Sequence, residues 1–402
     1  MTNQLALKPR VLSIDVLRGI IMVLMALDHV RDFFFKASLK SAGSVAMDPT
    51  NMATTTPGLF FTRWITHFCA PVFVFLAGTS IFLISRKKSK KELSQFLIKR
   101  GCWLLFVEIA VISLAWTLNP FYNVIILQVI WAIGISMIVI GLLVYLPAKF
   151  LLALGLIIVL GHNCLQYPSF ASLKGNIWFD LLYFTNFSTY NIFQNHMVLI
   201  VYSFLPWTGV MLLGFYFGKL YDADMEAFRR RKILIVLGSA IIALFFLLRI
   251  INIYGDPLPW SAQPRGAIYT VLSFLNTNKY SPSLEYLCMT LGPAMLMLAF
   301  LEKIQNRFIS ILNIFGRVPM FYYILHLYLI HLIGVIVFYA SGFSSKDIIT
   351  PASPFYFRPP GLGFSLVGVY IIWIIVVLVL FPLCKWYNRY KSTHKSWWLS
   401  YL

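Results

Sequence analysis

The first apolar run, SIDVLRGIIMVLMALDHVRDFF at residues 13–34, carries Asp15, Arg18, Asp28, His29, Arg31 and Asp32. Asp15, Arg18, Met22, Met25, His29 and Asp32 recur at steps of three and four, which places them on one helical face. Neutral imidazole accepts a proton near pH 7, and a neighbouring carboxylate orients it and stabilises the imidazolium. His29 with Asp28 or Asp32 therefore has the parts of a general base for attack by an amine or hydroxyl on a carbonyl. A second run, FTRWITHFCAPVFVFLAG, puts Arg63 and His67 four residues apart on one face. A third, GRVPMFYYILHLYLIHLIG, holds His326 and His331, whose five-residue spacing turns them to different sides.

Each of these residues also has a plain structural reading. Asp28, Arg31, Asp32 and Arg63 can form ion pairs that anchor helix ends, and the structural and functional readings of Arg31 and Asp32 stand even. His331 reads as a hydrogen bonder between helices, and Glu108 as a partner for Arg18 or a Trp N–H. Ionisable groups inside a span cost at least ~2.5 kcal/mol each, so the cluster in the first run points to a site, with His29, His67 and His326 as its acid–base groups. Both His29 and His67 are expected where solvent reaches them. The seven histidines form no H-x-x-x-H or H-E-x-x-H pair, so no metal is expected, and no G-x-S-x-G elbow is present.

The elements that must hold these residues are membrane helices. The chain has 402 residues, 59% apolar and 12% charged, with 35 Phe, 21 Tyr and 11 Trp, against about 25% charged in a soluble domain. Apolar stretches near the ~20 residues that cross a bilayer recur at 11–35, 63–85, 101–118, 122–146, 149–163, 197–218, 233–254, 284–301, 318–341 and 364–384. The expected fold is all-α: a bundle of about ten transmembrane helices, with an eleventh allowed, forming a single domain over residues 1–402.

The formal charge of +19 does not point to nucleic acid, because it is concentrated in alternate connections. Segments 86–100, 219–232 and 385–395, with the shorter ones around Lys8–Arg10, Lys149 and Lys303–Arg317, hold 22 of the 33 Lys and Arg. That bias puts both termini in the cytoplasm. The opposite connections, 36–62, 164–196, 255–283 and 342–363, are longer and rich in Pro, Gly, Asn, Ser and aromatics, with room to recognise an outside substrate. Trp178, Phe179, Tyr183, Phe184, Phe187 and Tyr190 read first as an aromatic belt at the lipid interface, and second as rings that stack on a sugar in a cleft. The five cysteines form no C-x-x-C pair and imply no required disulfide.

Four stretches carry a family resemblance: R-x-x-S-I-D-x-L-R-G at 10–19, L-D-H-V-R-D-F-F at 27–34, A-P-V-F-V-F-L-A-G at 70–78 and G-R-V-P-x-F-Y-Y-x-L-H at 316–326. Together they resemble the bacterial branch of the heparan-α-glucosaminide N-acetyltransferase family of transmembrane acyltransferases. The resemblance implies transfer of acetyl from cytosolic acetyl-CoA to an amino or hydroxyl group of a saccharide at the outer face of the inner membrane, and it allows a homodimer. Under it, Arg18, Asp15 and Arg317 belong to the acetyl-CoA side, and Arg63 and Arg31 to the acceptor side, with His29, His67, Asp28, Asp32 and His326 between. The animal members carry a histidine in the first outer loop, whereas Ala37–Thr62 contains none. An acyl-histidine relay and direct transfer, with His29 or His67 as base, both stay open. A transporter or flippase is the alternative class, although the paired broken helices usual there are not visible. A structural or sensory protein would leave the ionisable cluster unexplained.

Overall fold

The computed structural model describes residues 11–36, 48–349, 355–394, 396 and 399. The basic segment Lys8–Arg10, the chain ends and residues 37–47 of the first long connection lie outside them.

Helix α1 (Leu12–Phe34) is the axis of the bundle: 17 of its 23 residues are buried, including Asp15, Asp28, His29 and Arg31. Around it stand α2 (Pro57–Thr66) and α3 (Cys69–Ser85), joined through His67 and Phe68. The α2 start is set by Pro57 at its first turn and by Thr56, whose hydroxyl accepts from the Leu59 amide. Helix α4 (Lys90–Val107) begins at a reciprocal cap between Ser89 and Glu92, then widens into a π turn over Glu108–Ile112 before α5 (Ser113–Thr117).

The chain is mostly helical, as expected, but it also holds one small three-stranded sheet. Strand β1 (Val124–Leu127) runs parallel to β3 (His196–Ile200), which pairs antiparallel with β2 (Ser188–Phe193). The spans drawn at 122–146 and 197–218 therefore open as strands, and their helices are the shorter α6 (Val129–Leu143) and α9 (Leu205–Phe217). The strands are tied to the helix ends through Ser113 Oγ, which donates to the Glu108 carbonyl and accepts from the Ile126 amide, each at 3.0 Å. Glu108 Oε1 accepts from the Gln128 amide at 2.5 Å. Glu108, expected to partner Arg18 or a Trp N–H, is thus bonded at the β1–α6 junction, to the main-chain amides of Gln128 and Trp131.

Between these elements run α7 (Ala148–Gly161) and the short α8 (Ile177–Phe179). Tyr183, expected in an aromatic belt, is buried instead, whereas Trp178 is exposed. The remaining helices are α10 (Ala227–Ile251), α11 (Ala267–Leu275), α12 (Leu284–Leu301), α13 (Arg307–Arg317), α14 (Pro319–Ala340) and α15 (Leu366–Thr393). Two expected spans start or run on further than drawn: that from 101 begins at Lys90 and that ending at 384 continues to Thr393, so basic segments read as connections are helical.

Six stretches among the described residues are long and apolar enough to cross a membrane: 57–85, 148–166, 227–251, 284–301, 319–340 and 366–393. Helices α1 and α4 reach that length but carry more charge, and α6 and α9 are shorter.

Helix α13 meets α1 at Gly19 and Gly316, where a Cβ on either glycine would overlap the backbone of the other helix. The close approach brings the Gly316 carbonyl within 3.3 Å of Arg18 Nη1, which also pairs with Asp15 at 3.0 Å. Arg18 Nη2 donates to Ser80 Oγ at 3.0 Å. This end of α1 is bonded to α3 and α13.

Candidate active site

The opposite half of α1 carries the other charges. Asp28 Oδ1 accepts from Arg63 Nη1 at 2.7 Å and from Thr66 Oγ1 at 2.8 Å, and lies 3.0 Å from Arg31 Nη2. Its Oδ2 is 2.7 Å from Arg63 Nη1 and 3.6 Å from Lys279 Nζ. Asp28, Arg31, Arg63 and Lys279 are all at most 9% exposed, so these charges face protein rather than bulk water. Asp32, expected beside His29, turns outward, with 39% of its side chain exposed, and holds Arg31 Nη2 at 2.5 Å.

His29 faces a different partner from the carboxylate foreseen. Its Nδ1 lies 2.7 Å from His326 Nε2, with the two rings within 13° of coplanar. His326 Nδ1 in turn lies 3.0 Å from the Tyr322 carbonyl oxygen. A main-chain carbonyl only accepts, which assigns the protons along the chain. His326 carries its hydrogen on Nδ1, its Nε2 accepts, and His29 donates from Nδ1. The Nε2 of His29 is left as the nitrogen with the lone pair. Trp116 stands edge-on to the His29 ring at 4.9 Å and restricts its rotation.

His29 lines a small cavity of about 40 Å³ together with Asp28, Lys279, Tyr202, Tyr323 and Gln128. Cys69, Ala70 and Phe73, from the motif that opens α3, close one wall. Both His29 and His67 are buried, at 8% and 3% exposure, which corrects the expectation that solvent reaches them. The cause is packing: Trp116, Tyr323 and His326 stand against the His29 ring, and Tyr286 against that of His67. His67 sits at the α2–α3 joint, edge-on to Tyr286 at 5.4 Å, and its carbonyl accepts from the Tyr286 hydroxyl. It is not among the cavity-lining residues. His331 places Nδ1 2.9 Å from the Ala115 carbonyl and Nε2 3.3 Å from that of Tyr356.

Asp15 and Arg18 lie about 21 and 16 Å below His29 along α1, at 1.5 Å per residue. Arg317 follows Gly316 at the end of α13, on the turn that closes against Asp15. Toward the same end a cleft of about 530 Å³ opens between the starts of α1 and α10 and the end of α12. Arg230, Arg231, Lys303 and Phe228 line it, and Arg230 pairs with Glu302 at 2.5 Å.

Sequence reasoning missed Lys279, Tyr280, Tyr202 and Gln128. The one available signal was for Lys279: a lysine in a connection on the side that the charge bias leaves poor in cations. Among the described residues no group of three His, Cys, Asp or Glu is placed to hold a metal ion.

A helical membrane protein with a buried imidazole pair and a salt-bridged carboxylate beside a small cavity is the class that this geometry defines. The catalytic profile of heparan-alpha-glucosaminide N-acetyltransferase matches residues 10–250, and the chain belongs to that family. Among curated proteins none matches. The matched segment contains Asp28, His29, Arg63 and His67, whereas Lys279, Tyr323 and His326 reach the site from beyond it.

Proposed function

We propose that this protein moves an acetyl group from acetyl-CoA to an amino or hydroxyl group of a saccharide across the inner membrane, with His29 Nε2 as general base. The observation that carries the reading is the chain from His29 through His326 to the Tyr322 carbonyl, which leaves a basic nitrogen on a residue lining the cavity. His326 does for His29 what a carboxylate does in a hydrolase triad: it fixes the tautomer and steadies the ring. It is a positioning residue. Asp28 offsets part of the charge of Arg31, Arg63 and Lys279 and so keeps that half of α1 inside the bundle.

Acetyl-CoA enters at the basic end of the bundle, with its phosphates near Arg230, Arg231 and Lys303, and with Arg18 and Arg317 nearer the thioester arm. The acceptor comes from the other end, the half of the bundle that holds Arg63, Arg31 and His67. Both termini then lie in the cytoplasm. The attacking amine or hydroxyl gives its proton to His29 Nε2, and the proton returns to the departing thiolate. Direct transfer needs no histidine in the first long connection.

The test is turnover by the purified protein in detergent, with acetyl-CoA and a panel of amino and hydroxyl sugars, read as free thiol. Wild type should turn over, and His29→Ala should lose ~10²–10⁴-fold in kcat while keeping its melting temperature within a few degrees. Full activity in His29→Ala sinks the base assignment. A wild type that neither binds acetyl-CoA nor turns over sinks the acetyl-transfer reading.

A further inference from the structure

Lys279 stands in the loop between α11 and α12, its side chain 7% exposed, and it lines the cavity together with His29. Its nearest charge is Asp28 Oδ2 at 3.6 Å, close enough for an ion pair but beyond hydrogen-bond reach. The Asp28 oxygens already accept from Arg63 and Thr66 at 2.7–2.8 Å and hold Arg31 at 3.0 Å. The ammonium also lies 5.3 Å from the centre of the Tyr280 ring, which accepts no conventional hydrogen bond. The cluster as a whole sets three cations, Arg31, Arg63 and Lys279, against two carboxylates, Asp28 and Asp32. A buried ammonium needs hydrogen bonds as well as a counter-charge, and this one is left with donors to spare beside the reacting space.

We propose that Lys279 is the electrophilic residue of the site: its ammonium holds the oxygen of the acyl carbonyl as that oxygen becomes negative. This rests on the acetyl-transfer reading. The acceptor nitrogen or oxygen forms a bond to the thioester carbon, the C=O π pair moves onto oxygen, and the acceptor proton passes to His29 Nε2. The oxyanion accepts hydrogen bonds from Lys279 Nζ. Its electron pair then re-forms the C=O bond as the C–S bond breaks, and the thiolate takes the proton back from His29. Charge develops on that oxygen only as the bond forms, so a fixed cation there favours the transition state over the bound substrate.

The ion pairs explain why a lysine is suited to this place. Arg63 is held by both Asp28 oxygens, and Arg31 is shared between Asp28 and Asp32 and lies off the cavity wall. Lys279 is the cation with mobile donors at the cavity. Its removal leaves Asp28 with two arginines and Thr66, so the carboxylate stays paired.

The experiment compares Lys279→Met and Lys279→Arg with wild type, full-length in detergent, using acetyl-CoA and whichever sugar of the panel wild type acetylates. Lys279→Met should lower kcat ~10²–10³-fold, the span of one lost oxyanion donor, while KM for acetyl-CoA moves less than ~3-fold. Lys279→Arg should recover part of kcat, and both variants should keep the wild-type melting temperature. The proposal is overturned if Lys279→Met keeps its kcat, if only KM for the sugar rises, or if intact-mass and peptide analysis finds acetyl on Lys279 itself. A destabilised Lys279→Met is replaced by Lys279→Gln, read by the same split of kcat against KM. Wild type without turnover on any sugar refutes the acetyl-transfer reading and this inference with it, whereas an active wild type beside an active Lys279→Met refutes the inference alone.

Discussion

Arg249 and Asp28 both carry charge into the apolar interior, but their surroundings differ. Arg249, 1% exposed, pairs with Glu285 at 2.7 Å and spends its remaining N–H groups on the carbonyls of Phe274, Ser273, Asn276 and Leu258. The stoichiometry is one to one and every donor is used. Near it, Asp256 accepts from the Ser283 hydroxyl and the Asn278 amide, while burial pushes its carboxyl above the usual range. This network ties the loop before α12 to the bundle. Around Asp28, three cations share one buried carboxylate, and Arg31 Nε and Nη1 have no hydrogen-bond partner among the described residues. A closed network adds rigidity, whereas an oversubscribed one beside a cavity keeps electrostatic capacity for a charge that appears during reaction.

The largest expected effect sharpens this contrast. Arg249→Met strands Glu285 and should cost ~3–5 kcal/mol, with turnover per folded molecule unchanged. Asp28→Asn should cost a similar amount and also abolish turnover, because Arg63, Arg31 and Lys279 lose their common anchor. Thermal melts paired with kcat read both arms, and an active Asp28→Asn would erase the distinction.

A smaller effect separates two histidines of one helix. His326→Ala should lower kcat per folded molecule ~10²-fold, and His326→Gln, whose amide oxygen can still accept from His29 Nδ1, should restore much of it. His331→Ala should do the opposite, losing ~1–3 kcal/mol of stability at normal kcat, since its ring faces only main-chain carbonyls and the Phe33 edge. The smallest effect is expected at the basic cleft. Arg231→Ala should raise KM for acetyl-CoA a few-fold, ~1 kcal/mol, and the difference should fade in high salt.

Much of this was legible in the chain. The 284–301 span coincides with α12, and 318–341 differs from α14 by one residue at each end, because Ser283 and Pro319 mark the starts. The strands were not legible, since VIIL and HMVLI are short apolar runs continuous with helices, and periodicity does not separate such runs from buried helix. In the site, steps of three and four on α1 picked out His29 and the charges near it. Its partner His326 lies 297 residues away, and nothing local joins them. Lys279 gave only the weak signal of a cation on the cation-poor side, because a lysine in a polar loop looks solvated until the loop folds inward.

The glycine contact between α1 and α13 acts as a phase reference for a centre it never touches. Gly316 is fixed against Asp15 and Gly19, and the chain enters α14 two residues later, at Val318. A helix turns about 100° per residue, so a slip of one position at that entry would swing His326 from His29 toward another face of the bundle. The backbone seat of a residue with no side chain thereby sets the angular register in which an imidazole ten residues further on meets its partner.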